Sequence, residues 1–386
     1  MIAGDHSAAA APARVGDGAD LLPPKFAAWF AGRGWRPRRH QLALIAAAER
    51  GESVLLSAPT GGGKTLAGFL PSLIALSSRS TPLPLREGRS APARGPGRGL
   101  EAWKPNALRK PSLHTLYISP LKALAVDVAR NLETPVREMN LDIAIETRTG
   151  DTPAHRRQRQ NMLPPQILLT TPEQLALLLA AREAKEMFAG LQCVILDELH
   201  ALVNNKRGEM LALGLARLRA FAPDVRMVGL SATVAEPDRL RAYLVPQIAG
   251  ETRLSAYVEG ERGAMPEIAV LASGEHVPWS GHTARHAMGE VYNAIHSART
   301  ARVVVNTRGQ AEMAFQELWR INDANLPIAL HHGSLDVGQR RKVEAAMAKG
   351  ALRAVVCTST LDLGIDWGDV DLVIHLAAPK GCSRLQ

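Results

Sequence analysis

The sequence predicts an α/β fold with two tandem parallel-sheet domains, and three observations support this fold class. Short apolar strands alternate with amphipathic helices from about residue 25, the alternation stops near residue 250 and resumes near residue 285, and a glycine-rich loop joins the first strand to a helix. Such alternation is typical of parallel sheets that helices cover on both faces. We assign residues 21–250 to the first domain, 251–280 to a linker and 281–386 to an incomplete second domain, and we expect residues 1–20 to be disordered.

Apolar runs of four to six residues mark the strands, and longer periodic segments mark the helices. In the first domain we predict strands at Ser53–Ser57, His114–Ser119, Ile143–Thr147, Ile167–Thr170, Cys193–Asp197 and Arg226–Leu230, with helices that include Leu121–Leu132 and Gly208–Phe221. In the second domain we predict helices at His286–Ala298, Gln310–Ile321 and Asp336–Lys349, and strands at Arg302–Asn306, Ile328–His331, Ala354–Thr358 and Leu372–Leu376. The segment Gly250–Ser280 has no clear periodicity, so we interpret it as a connection.

The positive charge of the chain is concentrated in one segment. A formal net charge of +9 and an isoelectric point of about 9.8 favour a polyanionic partner. However, residues 77–112 are rich in Pro, Gly and Ser and contain eight basic residues against two acidic ones. We predict that this segment is a disordered insertion, because it cannot bury enough apolar surface to offset its ordering entropy. Two interpretations of this segment remain open: a tolerated surface loop, or an arm that binds nucleic acid.

Residues 58–65, Ala-Pro-Thr-Gly-Gly-Gly-Lys-Thr, lie between an apolar strand and an apolar helix. Strand, glycine-rich loop and helix in this order form a phosphate cradle, so we predict that the chain binds a nucleoside triphosphate with Mg²⁺. Lys64 would reach the β- and γ-phosphates, and the Thr65 hydroxyl would ligate Mg²⁺. Ala58 occupies a position where the usual pattern has glycine. The nucleotide-binding residues predicted in this loop are Thr60, Gly61, Gly62, Gly63, Lys64 and Thr65.

Two carboxylates, Asp197 and Glu198, follow the apolar run 193–196. Ligands of open α/β sheets bind beyond the carboxyl ends of the strands, which is where these side chains are predicted to lie. Asp197 would bind Mg²⁺, and Glu198 would polarise the water that attacks the γ-phosphoryl group. Lys64 would neutralise the charge that develops there, so the predicted catalytic residues are Lys64, Asp197 and Glu198. A solvated turn also accommodates Asp-Glu, but the phosphate loop favours the catalytic interpretation.

The three cysteines, Cys193, Cys357 and Cys382, have no CxxC spacing. Cys193 and Cys357 lie in apolar strands, so we expect buried free thiols, which are typical of a reducing compartment. No secretory signal precedes the fold, and no apolar run reaches the ~20 residues that a membrane span needs. We therefore expect a cytoplasmic protein with no membrane partner.

Together, these residues resemble the superfamily 2 helicases of the DExH type, with Asp197-Glu-Leu-His200 as the box. The segments look closest to the large helicase-related (Lhr) proteins, particularly the bacterial ligase-associated branch, from about residue 22 to 385 apart from the insertion. Besides the phosphate loop and the box, the matching segments in chain order are Arg38-Arg-His-Gln41, Ser119-Pro-Leu-Lys-Ala-Leu124, Thr149-Gly-Asp-Thr152, Thr170-Thr-Pro-Glu173, Ser231-Ala-Thr233, Val303-Val-Val-Asn-Thr-Arg308, His331-His-Gly-Ser334 and Thr358-Ser-Thr-Leu-Asp-Leu-Gly-Ile-Asp366.

The resemblance implies two RecA-like domains of the P-loop NTPase type, with ATP bound in the cleft between them. Gln41 would read the adenine edge, and Gly364 and Asp366 would contact the nucleotide from the second domain. A strand-end turn also fits the segment that contains Gly364 and Asp366, and both interpretations remain open.

The resemblance also implies residues that couple the nucleotide state to the nucleic-acid strand. His200, Ser231 and Thr233 would have this role, although the two hydroxyl residues are equally suited to cap a helix. The residues implied to line the nucleic-acid channel are Pro120, Lys122, Arg148, Thr171, Arg308, His332 and Thr360. Basic and hydroxyl side chains suit contacts to phosphates, which position a strand without reading its sequence. A metal site at His331 and His332 is disfavoured, because no Cys, Asp or Glu stands at ligand spacing in the nearby sequence.

The function implied is an ATP-dependent helicase that translocates on single-stranded or partial-duplex DNA, 3′→5′, in DNA repair. An RNA–DNA hybrid is a further possible substrate, and an ATP-dependent DNA ligase and a metallophosphoesterase are partners that the family suggests. The chain ends at Gln386, where the arginine-rich motif VI of the family should begin, so no residue is assigned the role of an arginine finger. The alternative is therefore a truncated fragment that binds nucleotide and nucleic acid without hydrolysis. An RNA-remodelling ATPase fits less well, because the box is not Asp-Glu-Ala-Asp.

Overall fold

The computed structural model contains two parallel α/β sheets in tandem, as the alternation of strands and helices predicts. It describes residues 21–59, 61–79, 112–203, 205–232, 236–261, 267–271, 273–274, 284–358 and 370–376. Residues 1–20 and 80–111, which contain most of the predicted insertion, lie outside this set. Three residues that we predicted within the insertion, 77–79, instead complete the helix that follows the glycine loop, because the apolar periodicity of that helix runs to its last turn.

The first sheet has seven parallel strands. The strands are β1 (Val54–Ser57), β2 (Thr115–Ile118), β3 (Ile145–Arg148), β4 (Ile167–Thr170), β5 (Cys193–Leu196), β6 (Arg226–Ser231) and β7 (Ala256–Glu259). Their order across the sheet is β3-β4-β2-β5-β6-β1-β7. Strand β7 pairs in parallel with β1, with Ala256 opposite Val54, so the prediction of a structureless linker is wrong at this strand. As an edge strand that is only half buried on one face, β7 has little apolar periodicity to mark it.

Ten helices are described in this domain. They are α1 (Pro24–Gly32), α2 (Arg39–Glu49), α3 (Lys64–Arg79), α4 (Lys122–Glu138), α5 (Ala154–Met162), α6 (Pro172–Leu179), α7 (Ala184–Phe188), α8 (Leu199–Val203), α9 (Lys206–Phe221) and α10 (Pro237–Tyr243). Successive strand residues point to opposite faces, so Val54 and Leu56 join one apolar core and Leu55 joins the other. Helices α2, α3 and α4 contribute to the first core, and α6, α8 and α9 to the second.

The second sheet has four described parallel strands in the order β11-β8-β10-β9. The strands are β8 (Ala301–Val305), β9 (Ile328–His331), β10 (Ala354–Thr358) and β11 (Leu372–His375), and the helices are α11 (Met288–Ser297), α12 (Arg308–Arg320) and α13 (Val337–Ala348), preceded by a 3-10 turn at Arg285–Ala287. Cys193 and Cys357 are buried free thiols, as expected. Within the described ranges, no helix combines the length and the apolar composition that a membrane span requires.

Candidate active site

The glycine loop has a backbone conformation that requires its glycines. Gly61 and Gly63 have φ values of +74° and +73°, in the left-handed region that side-chain-bearing residues rarely adopt. A Cβ atom on Gly62 would lie 2.8 Å from the carbonyl oxygen of Pro59. The loop thus turns tightly enough to direct its backbone into the first turn of α3, the geometry that binds phosphate groups.

Ala58 replaces the first glycine of the usual pattern without opening the loop. Its methyl group is buried and faces Gly260, where an added Cβ atom would lie only 2.4 Å from the Ala58 Cβ atom. Gly260 follows β7, and its amide donates a hydrogen bond to the Ser57 carbonyl. The space that an alanine requires at position 58 is therefore provided by a glycine on the neighbouring chain segment.

Lys64 is the first residue of α3 and is almost fully buried. Its ammonium group donates a hydrogen bond of 2.8 Å to the Ala58 carbonyl, so the side chain folds back across the loop. Thr65 follows it in the first helical turn. A lysine, a threonine and free backbone amides at the positive end of a helix dipole form a site for phosphate oxygens.

Gln41 lies beside this loop, as the resemblance implied for a residue that contacts the nucleotide. The side chain is buried, and its Oε1 atom accepts a hydrogen bond of 2.9 Å from the Arg38 backbone amide at the start of α2. Its Nε2 atom would lie 3.1 Å from a Cβ atom on Gly63. The amide is thus fixed in orientation against the phosphate loop.

Asp197 is buried at the carboxyl end of β5, and both carboxylate oxygens have a donor. Oδ1 accepts a hydrogen bond of 2.9 Å from the Glu198 amide, and Oδ2 accepts one from the Tyr117 hydroxyl. Burial and the charge of Glu198 raise the pKa of Asp197 to about 6, against the smaller opposing effects of Tyr117 and Lys64. Burial also raises the pKa of Glu198, and Lys64 again opposes the shift.

This charge distribution fits a hard divalent cation. Two adjacent buried carboxylates face a single ammonium group, Lys64, so the site carries an excess of negative charge when both are ionised. Mg²⁺ prefers oxygen ligands and is commonly held by one or two carboxylates together with phosphate oxygens. The described residues contain no cluster of three or more His, Cys, Asp or Glu side chains placed to hold a metal, which is compatible with this sparse mode of binding.

Glu198 has a strained backbone and is linked to the neighbouring strand. Its φ value of +48° lies in the left-handed region, which for a non-glycine residue costs about 1 kcal/mol or more. Its Oε2 atom lies 3.4 Å from Nε2 of His200, and Nδ1 of His200 is 3.0 Å from the Ser231 hydroxyl. Burial, followed by the charge of Lys64, lowers the pKa of His200, so the imidazole is neutral at pH 7 and donates from only one nitrogen. Glu198, His200 and Ser231 therefore form one chain of polar contacts.

The predicted nucleic-acid residues do not form one exposed surface. Lys122 and Arg308 are exposed and begin helices α4 and α12. Lys122 forms an ion pair of 3.0 Å with Asp151. Pro120 and Thr171 are buried in loops that follow the adjacent strands β2 and β4, so these positions offer backbone groups more than side chains.

Arg148 and His332 are buried, so neither side chain presents its polar group at the surface in this structure. The guanidinium group of Arg148 donates to the Asn161 side chain at 2.6 Å and to the Arg157 carbonyl at 3.2 Å, and so ties β3 to α5. His332 is 2% exposed, and its Nε2 atom lies 3.2 Å from a Glu312 carboxylate oxygen. Residue type and motif position predicted a nucleic-acid contact for both residues, and in this structure both side chains contact their own domain.

The structure adds two residues that sequence reasoning did not single out. Tyr117 contacts Asp197 across 80 positions of sequence, and Arg207 contacts Glu173 and the Pro120 carbonyl across 34 and 87 positions. Such contacts leave no local pattern in one sequence. Five predicted site residues lie outside the described ranges: Thr60, Thr233, Thr360, Gly364 and Asp366.

Comparison with known proteins agrees with this geometry. Residues 38–240 match the family model of the DEAD/DEAH box helicases, and residues 285–386 match that of the helicase conserved C-terminal domain. The chain is 33% identical over 380 residues to an ATP-dependent helicase Lhr-Core from Methanothermobacter thermautotrophicus, covering 94% of this chain and 41% of the relative. It is 35% identical over 417 residues to the Lhr helicase/uracil glycosylase of Escherichia coli, covering 93% of this chain and 25% of the relative. The chain thus spans less than half the length of these relatives.

Among solved structures, the fold is similar to that of the Mycobacterium smegmatis helicase Lhr bound to single-stranded DNA and AMP-PNP. The TM-score is 0.72 at 31% identity, over 93% of this chain and 44% of the other. The matched ranges contain every described strand except β7, and the first model alone covers more than half of the sequence, including the glycine loop and the Asp197–His200 box. The chain belongs to the DEAD/DEAH box helicase family, with proteins of the Lhr type among its relatives.

Proposed function

We propose that this chain is the ATP-dependent motor core of an Lhr-type helicase that translocates on single-stranded DNA. One observation carries this proposal: the continuous contacts from Glu198 through His200 to Ser231 beside Lys64. A residue that activates the attacking water is thereby connected to the end of β6, so a change in the nucleotide is transmitted to a neighbouring strand. A protein that only binds nucleotide has no need of this connection.

The hydrolytic step follows from the placement of these side chains. Glu198, as carboxylate, accepts the proton of the water that attacks the γ-phosphorus, while the bond from that phosphorus to its bridging oxygen breaks and ADP leaves. Lys64 moves from the Ala58 carbonyl to the phosphate oxygens and stabilises their charge. Thr65 and Asp197 would hold Mg²⁺, which when bound neutralises negative charge on the phosphates.

The proposal that the bound nucleic acid is DNA is supported by relatives of this chain. The similar structure from Mycobacterium smegmatis is bound to single-stranded DNA and AMP-PNP. Lys122 begins α4 with an exposed ammonium group, and it needs only to exchange Asp151 for a phosphate to contact such a strand. We propose 3′→5′ movement and a role in DNA repair, with RNA–DNA hybrids as further substrates. An ATP-dependent DNA ligase and a metallophosphoesterase remain the proposed partners from the family resemblance.

DNA-stimulated ATP hydrolysis tests the proposal. Phosphate release by the 386-residue chain is measured with Mg²⁺, with and without a single-stranded oligonucleotide, beside the variant Glu198→Gln. We expect hydrolysis that DNA stimulates and that the variant lacks. Nucleotide and DNA binding without hydrolysis by the parent chain would instead support the alternative function, a non-hydrolysing binding fragment. No binding of either ligand would refute both functions.

A further inference from the structure

Arg207 connects two loops that follow neighbouring strands. It lies in the first turn of α9, where the Asn205 side chain caps the helix by accepting from the Arg207 and Gly208 amides at 2.9 and 3.2 Å. The Arg207 side chain donates from Nε and Nη2 to the two Glu173 carboxylate oxygens at 2.5 and 3.1 Å. Nη2 also donates to the Pro120 carbonyl at 2.9 Å. One guanidinium group therefore holds both loops.

Both loops lie at the carboxyl edge of the first sheet. Pro120 follows β2 and Glu173 lies in the first turn of α6 after β4, and these strands pair in parallel with Ile118 opposite Thr170. The ladder continues one residue beyond the strands, because the Ser119 amide donates to the Thr170 carbonyl at 3.0 Å. Beyond the end of this ladder, Arg207 contacts both backbone segments through Glu173 and Pro120.

The start of α9, which carries Arg207, is packed against the segment that carries His200. The neighbouring residue, Gly208, approaches the end of α8 so closely that a Cβ atom on it would lie 2.2 Å from the Leu202 carbonyl oxygen. Helix α8 begins directly after Glu198 and contains His200. A displacement of α8 therefore has to move the start of α9, and with it the guanidinium group.

The energetics favour a role in positioning over a role in stability. The Arg207 and Glu173 side chains are 39% and 49% exposed, and exposed ion pairs contribute little to folding stability. Partial burial acts to raise the pKa of Glu173, but hydrogen bonds, led by that from Arg207, outweigh it and the pKa is lowered. The planar fork of arginine satisfies a carboxylate and a carbonyl at once, which the single ammonium group of a lysine cannot do in the same geometry.

We propose that Arg207 is a positioning residue that holds the Pro120 and Glu173 loops at the spacing required to bind a nucleic-acid strand. This inference rests on the proposed function, because it assumes that the two loops contact the strand. In this proposal Arg207 acts through the loops rather than on phosphate, because its Nε and Nη2 donors are directed to Glu173 and Pro120. Changes at α8 during the ATP cycle reach the loops through this residue.

The test is the equilibrium binding of a fluorescent oligo-dT, measured by fluorescence anisotropy at salt concentrations from 50 to 200 mM. It compares the parent chain with the variants Arg207→Ala and Arg207→Lys. We expect both variants to bind about 10-fold more weakly, because unfixed loops must be ordered on binding. The dependence of log K on log salt should keep its slope, since no phosphate contact is lost. Loss of one phosphate contact on a single strand would reduce this slope by about 0.7. A reduction of that size, or full affinity in Arg207→Lys, would overturn the inference in favour of a direct contact to phosphate.

Arg33→Ala is the matched control. Arg33 forms a similar two-pronged pair with Glu138, with side chains 31% and 38% exposed, and it connects α1 to the end of α4 rather than to either loop. We expect the control to bind DNA like the parent chain. An equal loss of affinity in the control would mean that general loosening of the domain causes the effect, and this would overturn a specific role for Arg207.

Hydrogen exchange without DNA separates this inference from the proposed function. Arg207→Ala should accelerate amide exchange in peptides that cover residues 119–124 and 170–175, and Arg33→Ala should not. Unchanged exchange in Arg207→Ala would overturn the inference even if the parent chain binds DNA. Failure of the parent chain to bind DNA would instead refute the proposed function and, with it, the role of these loops in binding.

Discussion

Replacing Tyr117 by phenylalanine should weaken Mg²⁺-dependent nucleotide binding in a pH-dependent way. Tyr117 is fully buried in β2, its ring stacks on Phe69 with centroids 5.3 Å apart, and its hydroxyl donates to Oδ2 of Asp197. Phenylalanine keeps the ring and its packing, so the change removes one hydrogen bond. Oδ2 is then left without its protein donor, while Oδ1 keeps the Glu198 amide.

The magnitude follows from the pKa of Asp197, which is about 6 in the folded protein. A hydrogen bond to a charged group contributes about 1.5–3 kcal/mol, and one pKa unit corresponds to about 1.4 kcal/mol. Loss of the donor should raise the pKa by at most about 1–2 units, to about 7–8. At pH 7 the ionised fraction then falls from about nine tenths to between about a half and a tenth.

The assay is a Mg²⁺ titration of the binding of a fluorescent, non-hydrolysable ATP analogue at pH 7.0 and pH 8.5. The carboxylate is the form that binds Mg²⁺, and a raised pKa depletes it as the pH falls. Tyr117→Phe should therefore need about 2- to 10-fold more Mg²⁺ at pH 7.0 and approach the parent chain at pH 8.5. An equal defect at both pH values, or no defect at pH 7.0, would refute the reasoning.

Tyr243→Phe is the control for loss of a buried hydroxyl. The Tyr243 hydroxyl donates to the Gly208 carbonyl at 2.6 Å rather than to a carboxylate of the site, and the tyrosine is partly buried. Its removal should lower the thermal stability without changing the Mg²⁺ dependence at either pH. A matching Mg²⁺ defect in this variant would attribute the effect of Tyr117→Phe to general destabilisation.

Three further predictions concern the loop, the catalytic carboxylate and the packing of α9. Lys64→Ala should abolish binding of a fluorescent ATP analogue, because it removes the ammonium group at the phosphate cradle; retained affinity would contradict this. Glu198→Gln should bind the same analogue and lose phosphate release by about 10²-fold or more, since the amide cannot accept the proton; unchanged turnover would exclude Glu198 as the base. Gly208→Ala should lower the melting temperature by several degrees, because its Cβ atom would lie 2.2 Å from the Leu202 carbonyl oxygen. The control Gly289→Ala in α11, where a Cβ atom has nothing within 4 Å, should leave the melting temperature equal or higher. Equal melting temperatures of the two variants would contradict the packing argument.

The sequence by itself determined the fold class, most strands of both sheets and the core of the nucleotide site. Gly61–Thr65 and Asp197–Glu198 are local patterns, in which residue type and spacing already encode a loop conformation or a strand end. Strand β7 was missed, because an edge strand buried on one face has a weak pattern. Arg148 and His332 are buried, which residue type and motif position in the sequence do not reveal, and their assignment to the nucleic-acid channel stays a prediction.

Only the tertiary structure decided which distant residues complete the site. The contacts from Tyr117 to Asp197 and from Arg207 to Glu173 and Pro120 join residues that are 34 to 87 positions apart. Parallel strands bring these positions together because each crossover returns the chain to the same edge of the sheet. Burial, together with the charge of the adjacent Glu198 and the hydrogen bond from Tyr117, then sets the pKa of Asp197, and the burial and the Tyr117 contact depend on the packing of distant segments.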